Sequence, residues 1–258
     1  MANHSTVITD TAQLADWVAA GAKPKADWRI GTEHEKILFH RADFRPVAYD
    51  GADGVGALLG SLFSQIGEKA QPIMEKGQII GLKDGDGGSV TLEPGGQLEL
   101  SGAPLVNLHQ TCAETGRHLK HMRAVTTALG LGMLGVGYQP KWARRDIPWM
   151  PKGRYRIMRD HMPKVGRFGL DMMLRSCTVQ VNLDYSDEPD MRRKFRTSLA
   201  LQPVATALFA NSPFRDGKPS GLLSTRAEAW TDTDNARCGV PACVFDEGFG
   251  YQQWIDYI

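Results

Sequence analysis

An α+β fold, with an antiparallel or mixed sheet carrying helices on one side, is what this 258-residue sequence predicts, and three stretches predict it. Residues 29–40, 90–101 and 178–184 each set polar side chains at every second position opposite apolar ones, the pattern of a strand with one wet face. Helical segments come between them without a strict strand-helix-strand rhythm, which disfavours an all-parallel sheet.

Thr9 or Asp10 can cap a first amphipathic helix with Leu14, Trp17 and Val18 on one face and Gly21 closing it. The segment KPKAD leads into the first strand, where Glu33 and Glu35 share a face about 7 Å apart. After a turn-rich passage, Leu58, Leu59 and Phe63 predict a short helix over 55–66. Residues 78–82 and 89–93 read as a hairpin joined by KDGDGG. That loop lacks the Lys-Ser/Thr of a phosphate loop, and the twelfth position of a calcium loop counted from Asp84 is Gly95, so a plain turn is expected.

In VTLEPGGQLELS, Gln97, Glu99 and Ser101 face one way and Leu98 and Leu100 the other; Glu93 has the same parity as Glu99 across a Pro-Gly-Gly turn. Carboxylates in such a run need a counter-charge, and clusters of hard oxygen donors suit magnesium, although an ordinary wet sheet face has the same pattern. Residues 105–129 predict the longest helix, with Leu108, Cys112, Thr115, Leu119, Met122 and Leu129 as its buried stripe, and His109 and His118 in solvent. MLGVGY reads as a buried strand, and a proline-rich loop follows, with a short helix near Arg154 limited by Pro163. Residues 190–211 predict a helix kinked or broken at Pro203. The stretch 212–246 has many turn residues and little periodicity.

Thirty basic and 29 acidic residues balance at +1, against a charge-driven nucleic-acid or membrane-surface binder. Four cysteines are too few for a disulfide scaffold and point to a reducing, cytoplasmic setting with free thiols. The first residues lack the apolar core of a signal peptide, and the most apolar run, 199–210, is too short to span a bilayer. No linker or repeat divides the chain, so 1–258 reads as one α+β domain.

The stretches GTEHEK, TLEPGGQLELSGAP with HQTCAE, PKWARRDIPWMPKGRY, DMMLRSCTVQVNLDY, KFRTSLALQPVATALFANSPF and LSTRAEAWTDTD together resemble glutamate-cysteine ligase of the plant and proteobacterial type. The resemblance implies a curved, mainly antiparallel, glutamine synthetase-like sheet. It also implies ATP-dependent joining of the side-chain carboxylate of L-glutamate to the amine of L-cysteine through an acyl phosphate, the first step of glutathione synthesis. By the same resemblance Glu33, Glu35, Glu93 and Glu99 would hold Mg2+, and Arg154 and Arg226 would bind substrate carboxylate or the transferring phosphoryl group. Trp230 and Arg237 would complete the pocket, while Gln180 and Asn182 are candidates to orient substrate from the sheet. Cys112 matches a redox-regulatory cysteine of plant members. Such members continue for roughly two hundred residues past the position of Ile258, so a truncated chain is expected, as monomer or homodimer. Alternatives are a related ligase with another amine acceptor, and a nucleotide- or metal-binding fragment without turnover.

Overall fold

The computed structural model describes residues 7–258, and its main sheet is open, antiparallel and central. Seven strands form it: β1 (Ile30–His40), β2 (Gln71–Glu75), β3 (Gln78–Lys83), β4 (Ser89–Leu92), β5 (Leu98–Ser101), β6 (Leu131–Leu134) and β7 (Val179–Leu183). Their order is β2-β3-β4-β5-β1-β6, with β7 also on β1, and every pairing is antiparallel. At Glu33 and His34, β1 is paired with both β5 and β7, which therefore lie on its two opposite edges. The α+β expectation is borne out.

The helices are α1 (Ala12–Ala19), α2 (Val55–Ile66), α3 (Leu108–Ala128), α4 (Gly153–Val165), α5 (Gly169–Arg175), α6 (Glu188–Leu208), α7 (Thr225–Trp230) and α8 (Tyr251–Tyr257); a two-stranded ribbon, β8 (Phe214–Arg215) and β9 (Lys218–Pro219), follows α6. Alternation puts Leu82, Val90, Leu92, Leu98 and Leu100 on one face of the sheet, where they pack with Leu58, Leu59 and Leu62 of α2 and Met122 and Val125 of α3. Each such side chain contributes roughly 1.5–3 kcal/mol through burial. The opposite face of the same strands is left for polar residues.

Several local expectations are corrected. The start of α1 is capped at Thr11, with Asp10 accepting a hydrogen bond from the Ala12 amide; none of its residues is buried, and Trp17 is 78% exposed. β2 was not foreseen: its hairpin with β3 turns on Lys76 and Gly77, both at positive φ, and Lys-Gly is a weaker signal than Asn-Gly. α5 and α7 fall in stretches too short for helical periodicity, although Ser224 caps α7 by accepting from the Ala227 amide. α4 continues through Pro163 to Val165, and α6 is one uninterrupted element across Pro203. All five residues of β7 are exposed, so its valine face is as open as its polar face.

The largest correction is in α3. Its buried residues are Glu114, His118, Met122, Val125 and Thr126, whereas Leu108 and Cys112 are exposed. The helix lies over β1 at the positions of His34 and Lys36, so polar side chains from both elements meet there. Glu114 accepts a hydrogen bond from the Ala103 amide, which ties α3 to the chain leaving β5. Burial, reinforced by His34, Lys36 and His121, pushes His118 down to about 4.

Candidate functional site

On the sheet face away from the core, cross-strand register gathers the acids. Glu35 stands opposite Glu99, and Glu33 stands opposite Ser101 on one side and Gln180 on the other. Glu93 is carried in by the turn between β4 and β5. Gly96 has φ +80°, and a Cβ on Gly95 would lie 2.4 Å from the Leu174 carbonyl oxygen, so the turn presses directly on α5. Gln97 locks this contact: its Oε1 accepts from the Gly95 amide, and its Nε2 donates to the Met173 and Ser176 carbonyls.

Three carboxylates are thereby neighbours, with Lys152 and Arg154 near Glu93 as their closest cations. Burial first, and then Glu93, push Glu35 up to about 7, although its Oε2 accepts from the Thr178 amide at 2.9 Å. Burial and then Glu99 push Glu93 up to about 7; Glu93 and Glu99 also share a hydrogen bond. Ser101 donates to Glu99. Lys152 lies beside Glu93, but its Nζ donates to the Leu92 carbonyl, and burial lowers its pKa. Arg154 Nη2 stays 3.8 Å from Glu93 Oε1 on an exposed side chain.

Beside these acids is a pocket of about 160 Å³ lined by Glu35, Glu93, Gln97, Thr178, Gln180, Arg226 and Trp230, with Met158, Met172 and Met173 forming an apolar wall. That size suits one small metabolite rather than a drug-sized ligand. Arg226 Nε and Trp230 Nε1 are both buried there without a hydrogen-bond partner. Among the described residues no carboxylate comes within ion-pair distance of Arg226, and burial lowers its pKa. The guanidinium lies over the Trp230 ring at 5.8 Å. Two buried, unsatisfied donors are costly, and an anionic oxygen ligand would satisfy both.

The structure thus brings together Glu35, Glu93, Glu99, Arg226, Trp230 and Gln180, with Arg154 at the rim. Two expected members fall outside. Arg237 pairs with Asp234 at 3.5 Å, three residues back in the same turn, and is 73% exposed. Glu33 shares the face, but its oxygens accept from Gln180 and Asn182, the latter at 3.1 Å. Gln180 and Asn182 therefore hold Glu33. Among the described residues no three acid, histidine or cysteine side chains close to metal-holding distance, and Glu33 stands apart from the other three glutamates on its own amide partners. The chemistry of Glu35, Glu93 and Glu99, oxygen donors forced together, still fits a divalent cation. Gln97, Lys152 and Thr178 were not named as site residues, although Gln97 shares the parity of Glu99 and Thr178 lies on the polar face of 178–184 with Gln180 and Asn182.

Cys112 is on α3, across the sheet from the pocket, and is exposed; Cys177 is buried and pushed up to about 12 by burial and by Glu35. All four cysteines are free thiols. Alkylation of the folded chain at pH 8, followed by mass spectrometry, should modify Cys112 at least tenfold faster than Cys177, because the thiolate is the nucleophile. Equal rates at the two positions would contradict the burial described.

The fold and the pocket define an α+β protein that presents an acid-and-arginine site on the open face of an antiparallel sheet. Residues 29–258 match the model of glutamate-cysteine ligase family 2 (GCS2), and the chain belongs to that family. It is similar to glutamate-cysteine ligase A, chloroplastic, of Oryza sativa subsp. japonica, at 57% identity over 95% of this chain and 48% of the relative. Similarity to the chloroplastic glutamate-cysteine ligases of Brassica juncea and Arabidopsis thaliana is 58% and 57%, each over 95% of this chain and 46% of the relative. The chain spans about half the length of the curated relatives it matches. The expected cytoplasmic location is corrected by these names, since all three relatives are named chloroplastic. Among the described residues no helix is long and apolar enough to cross a membrane.

Proposed function

We propose that this chain carries the glutamate-activating site of an ATP-dependent glutamate-cysteine ligase. In that reading the γ-phosphoryl group of ATP passes to the side-chain carboxylate of glutamate, and the amine of cysteine displaces phosphate to give γ-glutamylcysteine, the first step of glutathione synthesis. The observation that carries the reading is the buried pair of unsatisfied donors, Arg226 Nε and Trp230 Nε1, facing a nest of carboxylates in one small pocket.

Each residue then has a physical task. The Arg226 fork takes a carboxylate or the transferring phosphoryl group, and Trp230 adds one directed N–H. Gln97 keeps the turn bearing Glu93 against α5. The methionine wall excludes water, which would otherwise compete with the amine for an activated carboxylate. Glu35, Glu93 and Glu99 would hold Mg2+, whose charge would neutralise phosphate oxygens. With Glu35 and Glu93 near 7, cation binding must displace protons. The open face of an antiparallel sheet is also the surface that a glutamine synthetase-like arrangement would use.

The test is the reaction itself: with magnesium, ATP, glutamate and cysteine, formation of ADP and γ-glutamylcysteine followed by mass spectrometry. ADP release independent of glutamate, or glutamate bound no better than glutamine, would reject the reading. Calorimetry with magnesium and ATP tests the ligand set. Glu99→Gln should weaken binding about tenfold or more, the effect of one lost charge contact of about 1.4 kcal/mol. Glu33→Gln should change it less than about threefold, since Glu33 is occupied by Gln180 and Asn182. Equal losses in both variants would restore Glu33 to the metal set.

A further inference from the structure

Among the described residues Arg175 is the least exposed charged side chain, at 3%, and no step above uses it. It ends α5, whose Met172 and Met173 line the pocket. Nη1 donates to Asp171 Oδ1 at 3.1 Å, Nη2 donates to Asp216 Oδ1 at 2.7 Å, and the guanidinium lies over the Tyr138 ring at 4.7 Å. Asp171 does not need this cation: the Tyr138 hydroxyl donates to its Oδ1 at 3.1 Å, and Arg144 Nη1 donates to its Oδ2 at 2.9 Å. Asp216 does not need it either, because its side chain is 53% exposed and water can solvate it. A buried cation reaching to a solvated carboxylate adds little stability, and the Nε of Arg175 is left buried without a partner. What the pair does fix is the position of the segment bearing Asp216.

That segment is the β8–β9 ribbon, and it holds α7. Asp216 and Gly217 form its turn at φ +53° and +77°, the Asp-Gly pair that a two-residue hairpin prefers. The tip is seated by Arg175 and by the Gly217 amide, which donates to the Pro140 carbonyl at 2.9 Å. Just before the ribbon, the Ser212 carbonyl accepts from the Thr225 amide at 2.9 Å, and Ser212 Oγ accepts from the Arg226 amide at 3.3 Å. Within it, Arg215 Nη1 donates to Glu228 Oε2 at 2.8 Å. α7 has six residues, too few to hold a helix unaided, so these ties set where Arg226 and Trp230 lie. α5 and α7 also pack directly on each other.

We propose that Arg175 is a positioning residue for the pocket. It lies outside the pocket lining, and through Asp216 and the ribbon it sets α7 against α5. It thereby places the unpartnered Arg226 Nε and Trp230 Nε1 beside Met172 and Met173. Loss of the pair leaves α5 in place, because Gln97 still holds the Met173 and Ser176 carbonyls, and lets α7 shift. The inference deepens the glutamate-binding reading, but the placement of α7 is measurable without any ligand.

Asp216→Gly removes the carboxylate and keeps a residue suited to positive φ, whereas Asp216→Asn keeps an acceptor oxygen as well. Nitrogen-proton spectra of the full 258-residue chain without ligand read the Arg226 Nε–H and the Trp230 indole N–H, assigned by their loss in Arg226→Lys and Trp230→Phe. In Asp216→Gly both signals should shift or broaden, and L-glutamate, measured by calorimetry, should bind about tenfold more weakly, while the melting temperature stays within a few degrees. Asp216→Asn should restore both signals and bring the affinity to within about threefold of the parent. Arg215→Gln, which cuts the ribbon from α7 instead, should move the same two signals and decides the matter if Asp216→Gly does not fold. Both signals unmoved in the folded variants would overturn the proposal, as would moved signals with the glutamate affinity of the parent. A parent chain that binds no glutamate refutes the reading of the site instead, and the spectra then decide the positioning alone.

Discussion

Arg226→Ala is expected to weaken glutamate binding by roughly 2–5 kcal/mol, the range for losing one member of a desolvated charge pair. In affinity this is about 30-fold to a few thousandfold. The size follows from the setting: the guanidinium is largely buried, has no carboxylate partner among the described residues, and leaves its Nε unsatisfied beside the equally unsatisfied Trp230 Nε1. A side chain held this way gains its partner only when ligand arrives. For the same reason the ligand-free variant should melt within a few degrees of the parent, or above it, since an unpaired buried charge is being removed. Arg226→Lys should fall between the two, keeping the charge and losing the fork. Thermal shift with glutamate gives both readings in one experiment, because ligand raises the melting temperature only where it binds. A variant that still shows the full glutamate-induced rise would remove Arg226 from the site.

The second large effect is a change in how stability responds to acid. His118 is 8% exposed and sits near 4 when folded, against about 6.5 when unfolded. Below about pH 6.5 the unfolded chain takes up this proton and the folded chain does not, so the contribution of His118 is present above 6.5 and is lost as pH falls toward 4. At pH 5 the loss is about 2 kcal/mol. Glu35 and Glu93 act with the opposite sign over the same window. Their folded values are raised to about 7, so the stability they contribute is full below the unfolded value near 4.5 and is lost as pH rises through 7. In the native chain these trends oppose each other. In His118→Leu its opposing contribution is removed while that of the glutamates remains, so the gain in stability from pH 7 to pH 5, read from urea unfolding, should be about 2 kcal/mol larger than in the parent. Parallel pH profiles for parent and variant would show that His118 is not held neutral. Magnesium should reduce the contribution of the glutamates by holding them ionised in the folded state.

The sequence determined a good deal by period alone. In β1 and β5 side chains alternate by rule, so Glu33 and Glu35 had to share one face of β1 and Glu99 had to lie opposite Leu98 and Leu100 in β5, while the antiparallel register of the two strands put the three acids on the same face. The acidity of the site and the helix-covered core opposite it were legible for that reason, as were the first strand, α2 and β7. Arg226 and Trp230 were legible only through motif resemblance, because α7 is a single short helix with no periodicity to read.

Tertiary structure decided the rest, wherever a side chain's role depends on a neighbour distant in sequence. Which stripe of α3 is buried was set by His34 and Lys36 beneath it, so a search for apolar periodicity chose Cys112 and missed His118. Register across β7 gave Glu33 two amide donors, and a local turn gave Arg237 its own aspartate; both withdrew residues whose spacing had looked equivalent to the others. The second half of α6 follows the same rule, with Leu201, Val204 and Leu208 exposed. Its sequence reads as interior, and only packing decides burial, because burial belongs to pairs of surfaces and a sequence states one surface at a time.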